Sequence, residues 1–169
     1  MTGDGEKVAM RRVAVWAIMA AVVAPLPAEA APEERKPPYY ASLAPARARM
    51  RTGPGRTFPA SWLYVRAGLP VRVVDTFKEW RKIEDPSGTQ GWMLGNMVSN
   101  ARTAIVQGTE PAEMRDRPGG PHIAYRAQPG VVGRVGQCAN GWCHFDVHGQ
   151  SGFVQTDRLW GVEAGEVLP

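Results

Sequence analysis

Hydrophobic residues along this chain occur in short runs that Gly and Pro interrupt every several residues. In Val71-Arg72-Val73 the apolar side chains alternate with a polar one, which is the period of a half-buried strand. Gly53-Pro54-Gly55 fits a tight turn whose last glycine supplies a positive φ. From Ala41 onward no stretch sustains helical periodicity, although Leu94-Gly95-Asn96-Met97 and Gln155-Thr156-Asp157-Arg158 are each compact enough for a single helical turn. The pattern therefore predicts an all-β fold of short strands and frequent turns.

The same order of landmarks occurs twice. Met50-Arg51-Thr52-Gly53-Pro54-Gly55 has an altered counterpart in Met114-Arg115-Asp116-Arg117-Pro118-Gly119. Other landmarks follow at an offset of 61 or 62 residues: Gly68 with Gly130, Trp80 with Trp142, and Gly91 with Gly152. A repeat of this length is typical of tandem domains rather than of a solenoid. We therefore expect two small domains over residues 42–100 and 101–163, followed by a tail over 164–169.

The N-terminus has the pattern of an export signal. A positively charged start precedes an uncharged apolar run of 12 residues, Val13 to Ala24, whereas a membrane-spanning helix needs about 20. Ala28-Glu29-Ala30 fits a small-x-small cleavage site. The sequence thus predicts a signal peptide over residues 1–30 that is cut between Ala30 and Ala31, so that the chain meets the membrane only transiently. A retained N-terminal anchor is the alternative.

The charge of the exported chain is mildly positive. Removing residues 1–30 takes away three basic and three acidic side chains and leaves the net charge at +4. Four arginines crowd the first copy: Arg47, Arg49, Arg51 and Arg56. Acidic residues are interleaved later, so there is no dense basic stripe and no indication of a nucleic-acid partner. Residues 31–41 contain three prolines among charges and are expected to form an extended linker.

Cys138 and Cys143 flank Asn140-Gly141, a strong signal for a two-residue hairpin turn. With that turn the two cysteines lie directly opposite each other as a non-hydrogen-bonded pair. The expected separation of their Cα atoms is at the near edge of the disulfide range. An exported protein also meets an oxidising compartment. We therefore predict a disulfide between Cys138 and Cys143.

Catalytic and metal-binding interpretations of the same region are weaker. Cys143 and His144 are adjacent strand residues that point to opposite faces, and a disulfide would consume the thiol, which disfavours a cysteine-dependent hydrolase or a thiol oxidoreductase. A zinc site built from Cys138, Cys143, His144 and His148 fits none of the usual ligand spacings. The sequence also contains no evident pair of catalytic carboxylates and no phosphate-binding glycine loop. We expect a non-enzymatic protein without a metal or cofactor.

Two tryptophans could be either buried structural residues or exposed ligand-binding residues. Trp80 precedes Ile83 by three residues and Trp142 precedes Phe145 by three, and an unbroken strand cannot place such a pair on one face. If Ile83 and Phe145 fill the cores, both tryptophans lie outside, where a large aromatic ring suits a ligand platform. The favoured alternative buries each tryptophan between the domains or returns it to the core through a β-bulge. The candidates for ligand binding are Trp80, Trp92, Trp142, Tyr125 and Arg51.

Three aromatic residues on the early strands are interpreted differently. Trp62, Tyr64 and Tyr125 lie in the first apolar runs of the two copies and are expected to be mainly in the cores. Tyr125 is therefore both a core candidate and a ligand-binding candidate.

The motifs resemble those of a known family. In the first copy these are Met50-Arg51-Thr52-Gly53-Pro54-Gly55, Gly68-x-Pro70-Val71-x-Val73, Trp80 followed by Ile83, and Gly91-Trp92. This order resembles the bacterial SH3-like domain, and the second copy, with Cys138-x4-Cys143 around Asn-Gly-Trp, is similar to the same family in its periplasmic tandem form. The second copy departs from the pattern at Arg117, where the first turn glycine is expected. The resemblance covers Ser42 to about Val162.

The resemblance implies a small, partly open β-barrel of five or six strands per copy. Such domains are usually binding modules of cell-envelope proteins and are often attached to peptidoglycan hydrolases. The expected function is therefore that of a periplasmic or secreted module that binds peptidoglycan or an envelope protein. The alternative is a scaffold or regulatory subunit of an envelope enzyme.

Overall fold

The computed structural model of the protein describes Met1 and residues 35–169. The predicted signal peptide and its cleavage site between Ala30 and Ala31 lie outside the described residues. From Arg35 onward the described residues form one compact unit whose regular elements are fourteen β-strands and two single turns of 3-10 helix, which confirms the predicted all-β fold. In this part of the chain, no helix is both long and apolar enough to cross a membrane.

Each domain consists of one antiparallel sheet and one turn of 3-10 helix. In the first domain the elements are β1 (Tyr39–Leu43), β2 (Ala48–Arg51), β3 (Ala60–Tyr64), β4 (Pro70–Phe77), β5 (Trp80–Glu84), β6 (Gln90–Leu94), a 3-10 turn (Gly95–Met97) and β7 (Val98–Ser99). In the second domain they are β8 (Thr103–Val106), β9 (Ala112–Arg115), β10 (Ile123–Ala127), β11 (Val132–Ala139), β12 (Trp142–Val147), β13 (Gln150–Gln155), a 3-10 turn (Thr156–Arg158) and β14 (Leu159–Trp160). Both single helical turns lie where the sequence predicts them.

The two sheets share one topology. The strand order is β3-β2-β6-β5-β4-β1-β7 in the first sheet and β10-β9-β13-β12-β11-β8-β14 in the second. Each second-domain strand occupies the place of the first-domain strand seven earlier, so the sequence repeat is a repeat of the fold. Each described sheet has seven strands, more than the five or six implied by the resemblance, because the two-residue strands β7 and β14 extend its edge.

The first sheet begins earlier than the sequence suggests. Residues 31–41 were expected to be a linker, but Tyr39, Tyr40 and Ala41 belong to β1 and pair with β4. Ala41 is buried in the first core. Apolar side chains directly after the last proline therefore override the proline-rich composition, and β1 extends into the predicted linker.

Each domain has its own hydrophobic core, and residues at equivalent positions pack in the same way in both. Ile83 fills the first core and Phe145 the second, both without exposed surface. Gly91 lies over Met50, and a Cβ atom at this glycine would be 2.5 Å from the methionine Cγ. Gly152 lies in the same way against Met114, at 3.0 Å from its Cβ. In both domains the core methionine occupies the volume that a larger residue in the facing strand would need.

The predicted disulfide is confirmed. Asn140 and Gly141 have φ values of 52° and 80°, as a two-residue hairpin turn with two left-handed residues requires. Cys138 and Cys143 are directly opposite each other on β11 and β12, are bonded, and have Cα atoms 4.1 Å apart. Both are fully buried, so the disulfide forms part of the second core.

An aromatic contact links the two sheets. The rings of Tyr40 on β1 and Trp160 on β14 meet edge to face, with centroids 5.2 Å apart and planes at 77°. The guanidinium of Arg72 lies 3.8 Å from the carboxylate of Glu163 beside them. Burial, and then the nearby negative charge of Glu163, raise the pKa of Tyr40. Trp160 thus provides the aromatic contact between the domains that the sequence interpretation offered to Trp80 or Trp142.

The predicted tail is fastened to the second domain. Arg102 donates from Nη1 to Oε1 of Glu166 at 2.6 Å and from Nη2 to Oε2 at 2.9 Å. These bonds hold the pKa of Glu166 below its ordinary value. Leu168 then pairs with Cys138 through two backbone hydrogen bonds of 3.1 Å. The tail therefore adds a single isolated β-bridge beside the C-terminal end of β11.

Candidate ligand-binding site

Strand alternation places a row of arginines on the outer face of the first sheet. In β2, Ala48 and Met50 are buried in the core, so Arg49 and Arg51 point away from it. These two side chains line a pocket of about 360 Å³ together with Arg47, which precedes the strand, and Arg56, from the following loop. The pocket is therefore lined by four arginines, and strand alternation places two of them, Arg49 and Arg51, on the outer face.

The rest of the pocket is apolar. Its other lining residues are Leu63, Trp80, Leu94 and Met97. The sheet order β3-β2-β6-β5 brings them together, because Leu63 is opposite Arg49 and Trp80 is opposite Leu94. Among the residues that the structure describes, no acidic side chain lines the pocket. A ligand would therefore meet a shallow apolar floor bordered by positive charge.

The loop that carries Arg56 is fixed from two sides. Arg51 donates from Nη1 to the carbonyl oxygen of Phe58 at 2.7 Å. The Phe58 ring packs on Gly53, where a Cβ atom would be 2.5 Å from a ring carbon. Neither Gly53 nor Gly55 has a positive φ, so the prediction of a positive φ at Gly55 is wrong. These glycines are needed because the Phe58 ring lies close to the backbone.

Three of the four arginines remain available for a ligand. Arg47, Arg49 and Arg56 are exposed, and in the described part of the chain nothing hydrogen-bonds or ion-pairs with them. Each guanidinium presents five N–H donors in a planar fork that matches the geometry of a carboxylate or phosphate. The arrangement is suited to bind an anion.

Two of the predicted binding residues line this pocket and a third lies beside it. Arg51 and Trp80 are both in the lining, and Trp92 is half-buried on the same outer face, opposite Arg51. The pairing of β5 with β6 is regular, so Trp80 and Ile83 face opposite sides of the sheet. Trp80 is nevertheless only 4% exposed, so it forms pocket floor and not an open aromatic platform.

The second domain has a smaller pocket at the equivalent place. It measures about 270 Å³, and Trp142 lines it together with Glu113, Arg115 and Arg158. Arg115 pairs through Nη2 with the carboxylate of Glu113 and donates from Nη1 to the carbonyl oxygen of Gly120. The positive charge of Arg115 is therefore already used within the domain.

Tyr125 lies apart from both pockets. It is 42% exposed and pairs with Met114 across β10 and β9, as Trp62, 58% exposed, pairs with Met50 across β3 and β2. The expectation that Trp62 and Tyr125 lie in the cores is wrong, because β3 and β10 are edge strands whose registers shift beside these pairs. Tyr64 is buried as expected and donates to Oδ2 of Asp85 at 2.9 Å.

The residues considered for catalysis are otherwise engaged. Cys138 and Cys143 share the disulfide, so neither has a thiol in this state. His144 lies edge to face against Phe153, with ring centroids 5.5 Å apart. Within the described residues, no three His, Cys, Asp or Glu side chains are grouped so as to hold a metal ion.

Sequence reasoning noted the four arginines but did not recognise that they share a pocket. The signal was present in the spacing of Arg47, Arg49 and Arg51, since alternate residues of a strand share a face. The apolar residues of the floor, Leu63, Leu94 and Met97, were missed because they are brought together only by the order of the strands in the sheet.

Solved structures with similarity to this chain include NlpC2 and NlpC1 from Trichomonas vaginalis and an NlpC/P60 family protein from Bacillus cereus ATCC 10987. The sequence identities are 10%, 10% and 12%, and the TM-scores are 0.34, 0.34 and 0.33. The matches cover 75%, 74% and 77% of this chain and 49%, 46% and 58% of those chains. The chain thus spans about half the length of the structures it matches.

A comparison with curated protein sequences gives no significant match. The family model described as the bacterial SH3 domain matches twice, over residues 44–99 and 108–161. The two matches together cover more than half of the chain and fall on the two sheets. This protein therefore belongs to the bacterial SH3 domain family and carries two copies of that domain.

Proposed function

We propose that this protein is an exported, non-enzymatic module that binds the cell wall through the arginine pocket of its first domain. The observation that carries the proposal is a pocket with an apolar floor that four arginines, and no acidic residue of the described part of the chain, line. Pockets of this size are typical of sites for small ligands and short segments. A peptide of peptidoglycan, which is small and carries carboxylates, has suitable chemistry for it.

Two further features support export and a binding role. The N-terminal sequence has a charged start, an apolar run and a small-residue cleavage site, and the buried disulfide suits the oxidising environment of the periplasm or the exterior. With both cysteines bonded, the protein has no thiol nucleophile to offer. The bonded cysteines therefore disfavour cysteine-dependent cleavage and support a role in recognition of the wall.

Co-sedimentation with purified peptidoglycan sacculi tests the proposal. Wild-type protein should pellet with sacculi, and Arg49→Glu should reduce retention at least tenfold, since it places a negative charge on the binding face. Arg134→Glu makes the same charge change on an exposed residue of the second domain and should retain binding. Absence of wild type from the pellet, or equal retention of Arg49→Glu, would refute wall binding through this pocket.

A second candidate function is that of a scaffold or regulatory subunit for an envelope enzyme. It is favoured by the exposed rings of Trp62 and Tyr125, which occupy equivalent positions on the edge strands of the two sheets. Tyr and Trp are enriched at protein interfaces. Photocrosslinking in cells from position 62 should recover a protein partner if this function holds. Labelling of wall fragments only, with no protein adduct, would exclude it.

A further inference from the structure

We infer that the first-domain pocket binds a short peptide through at least two carboxylates, and that the second domain does not share this activity. The inference rests on the proposed function, because it takes the arginine pocket as the binding site. It adds the chemical class of the ligand and the number of sites per chain.

The donors in the pocket select an anion with paired oxygens. Arg47, Arg49 and Arg56 offer planar guanidinium groups, and within the described residues none of the three is engaged by another side chain or carbonyl. Arginine binds a carboxylate through two parallel hydrogen bonds, and such charge-assisted bonds are about twice as strong as neutral ones. Neutral carboxamides cannot supply the same pairing. The ligand should therefore bind as the carboxylate.

The spacing of the arginines favours more than one carboxylate. Arg49 and Arg51 are alternate residues of β2, about 7 Å apart along the strand, and Arg47 immediately precedes that strand. Acidic groups on alternate residues of an extended peptide lie on one side with about the same 7 Å spacing, so they can reach neighbouring arginines. Arg51 is partly used by the Phe58 carbonyl, which leaves Arg47 and Arg49 as the principal pair.

The size and floor of the pocket favour a short ligand. A volume of about 360 Å³ is near the lower end of ligand pockets, whereas a stable protein interface buries about 800 Å² on each partner. Leu63, Leu94 and Met97 provide apolar contact beside the arginines. A short peptide that combines carboxylates with methyl groups complements both parts of the site, and peptidoglycan supplies such peptides.

The equivalent pocket of the second domain has lost this chemistry. The strand register makes Glu113 the counterpart of Arg49, because Glu113 pairs with Arg126 as Arg49 pairs with Leu63. The same register makes Arg115 the counterpart of Arg51. Glu113 neutralises Arg115 and would repel an incoming carboxylate. One chain therefore provides one site.

The proline and glutamine of the second pocket weaken it further. Pro111 precedes β9 where Arg47 precedes β2, and it brings no charge. Gln155 replaces Leu94 opposite the tryptophan, since Trp142 pairs with Gln155 as Trp80 pairs with Leu94. The second pocket is thus lined by two arginines, Arg115 and Arg158, where the first has four, and it has lost part of the apolar floor.

Isothermal titration with muropeptides tests the ligand class. Muropeptides with free carboxyl groups should bind the full chain with a stoichiometry of one, and the same muropeptides converted to carboxamides should bind at least tenfold more weakly. Arg49→Gln should lose at least tenfold in affinity, whereas the matched Arg134→Gln should bind like wild type. Far-ultraviolet circular dichroism of each variant checks that it is folded.

A gain of binding tests the difference between the domains. Glu113→Arg removes the carboxylate that occupies Arg115 and restores the residue type found at position 49. This variant should bind a second muropeptide, so that the stoichiometry rises from one towards two. An unchanged stoichiometry would contradict the inference that Glu113 prevents binding in the second domain. Two binding sites in the wild-type protein would contradict the inference that the second domain does not bind.

Failure of the inference can be separated from failure of the proposed function. If the carboxamide muropeptides bind as well as the acids while sacculi still require Arg49, the ligand class is wrong and wall binding stands. If a short acidic peptide of unrelated sequence binds equally well, the pocket recognises carboxylates without regard to the wall. If sacculi are not retained at all, the proposed function itself is wrong.

Discussion

Replacing Tyr64 by phenylalanine should destabilise the first domain through one buried hydrogen bond. The Tyr64 hydroxyl donates to Oδ2 of Asp85 at 2.9 Å, and the two residues are 6% and 8% exposed. The other carboxylate oxygen accepts from the backbone N–H groups of Ser87 and Thr89 at 2.9 and 3.0 Å. Tyr64 is thus the donor that satisfies the oxygen facing the interior.

The expected loss follows from the charge of the acceptor. A hydrogen bond to a charged group contributes about 1.5 to 3 kcal/mol, and a buried acceptor left without its donor costs about as much. Phenylalanine keeps the ring and its packing, so no cavity adds to the effect. We expect Tyr64→Phe to lower the free energy of unfolding by about 2 kcal/mol.

Urea unfolding followed by tryptophan fluorescence measures this loss. Tyr39→Phe is the matched control, because Tyr39 is half-buried and its hydroxyl has no hydrogen-bond partner in the described part of the chain. A double-mutant cycle with Asp85→Asn isolates the pair. A loss below about 0.5 kcal/mol for Tyr64→Phe, or one equal to that of Tyr39→Phe, would show that the buried hydrogen bond is not what stabilises this turn.

Three further predictions concern the tail, the disulfide and the sheet. The Arg102 hydrogen bonds lower the pKa of Glu166 in the folded protein, so its contribution to stability is fully present above the ordinary glutamate pKa of about 4.3. That contribution is lost as the pH falls through the lowered, folded-state pKa. Glu166→Gln should therefore destabilise most at pH 7, and the difference from wild type should shrink steadily as parallel urea titrations are made more acidic. Reduction of Cys138–Cys143 should cost about 2 kcal/mol in the chain-entropy model, and equal urea midpoints with and without reductant would contradict this. Gly91→Ala should lower the free energy of unfolding by about 1 to 3 kcal/mol, because its Cβ atom overpacks against Met50. Gly68→Ser is the reference in thermal melts, because Gly68 has a positive φ but open space around it, so that this variant reports backbone strain without overpacking.

Features encoded by neighbouring residues could be predicted from the sequence. Asn140-Gly141 defines the turn, and the turn defines the register that places Cys138 against Cys143. The repeat indicated two domains of one fold for a similar reason, since each landmark needs only its own turn or strand. Local chemistry determined both features, so no knowledge of the sheet order was required.

The binding pocket depends on information that the linear sequence does not display. Arg49 and Leu63 lie on consecutive strands, but Trp80 joins them only because β6 inserts between β2 and β5. That order is a property of the whole sheet. The exposure of Trp62 also depends on the sheet order, because an aromatic side chain in an edge strand has a neighbouring strand on one side only.

The two domains differ in how they use one scaffold. The second domain holds the disulfide, the β-bridge at Leu168 and the Arg102–Glu166 ion pair. The pocket of the first domain holds three exposed arginines that have no partner among the described residues. Like charges placed close together destabilise a fold unless a ligand neutralises them. If the proposed site binds an anionic ligand, the first domain should gain stability from it, whereas the second domain is held by its own disulfide, bridge and ion pair. Contact through Tyr40 and Trp160 couples the two, so ligand binding at the first domain should raise the stability of the unit it shares with the second.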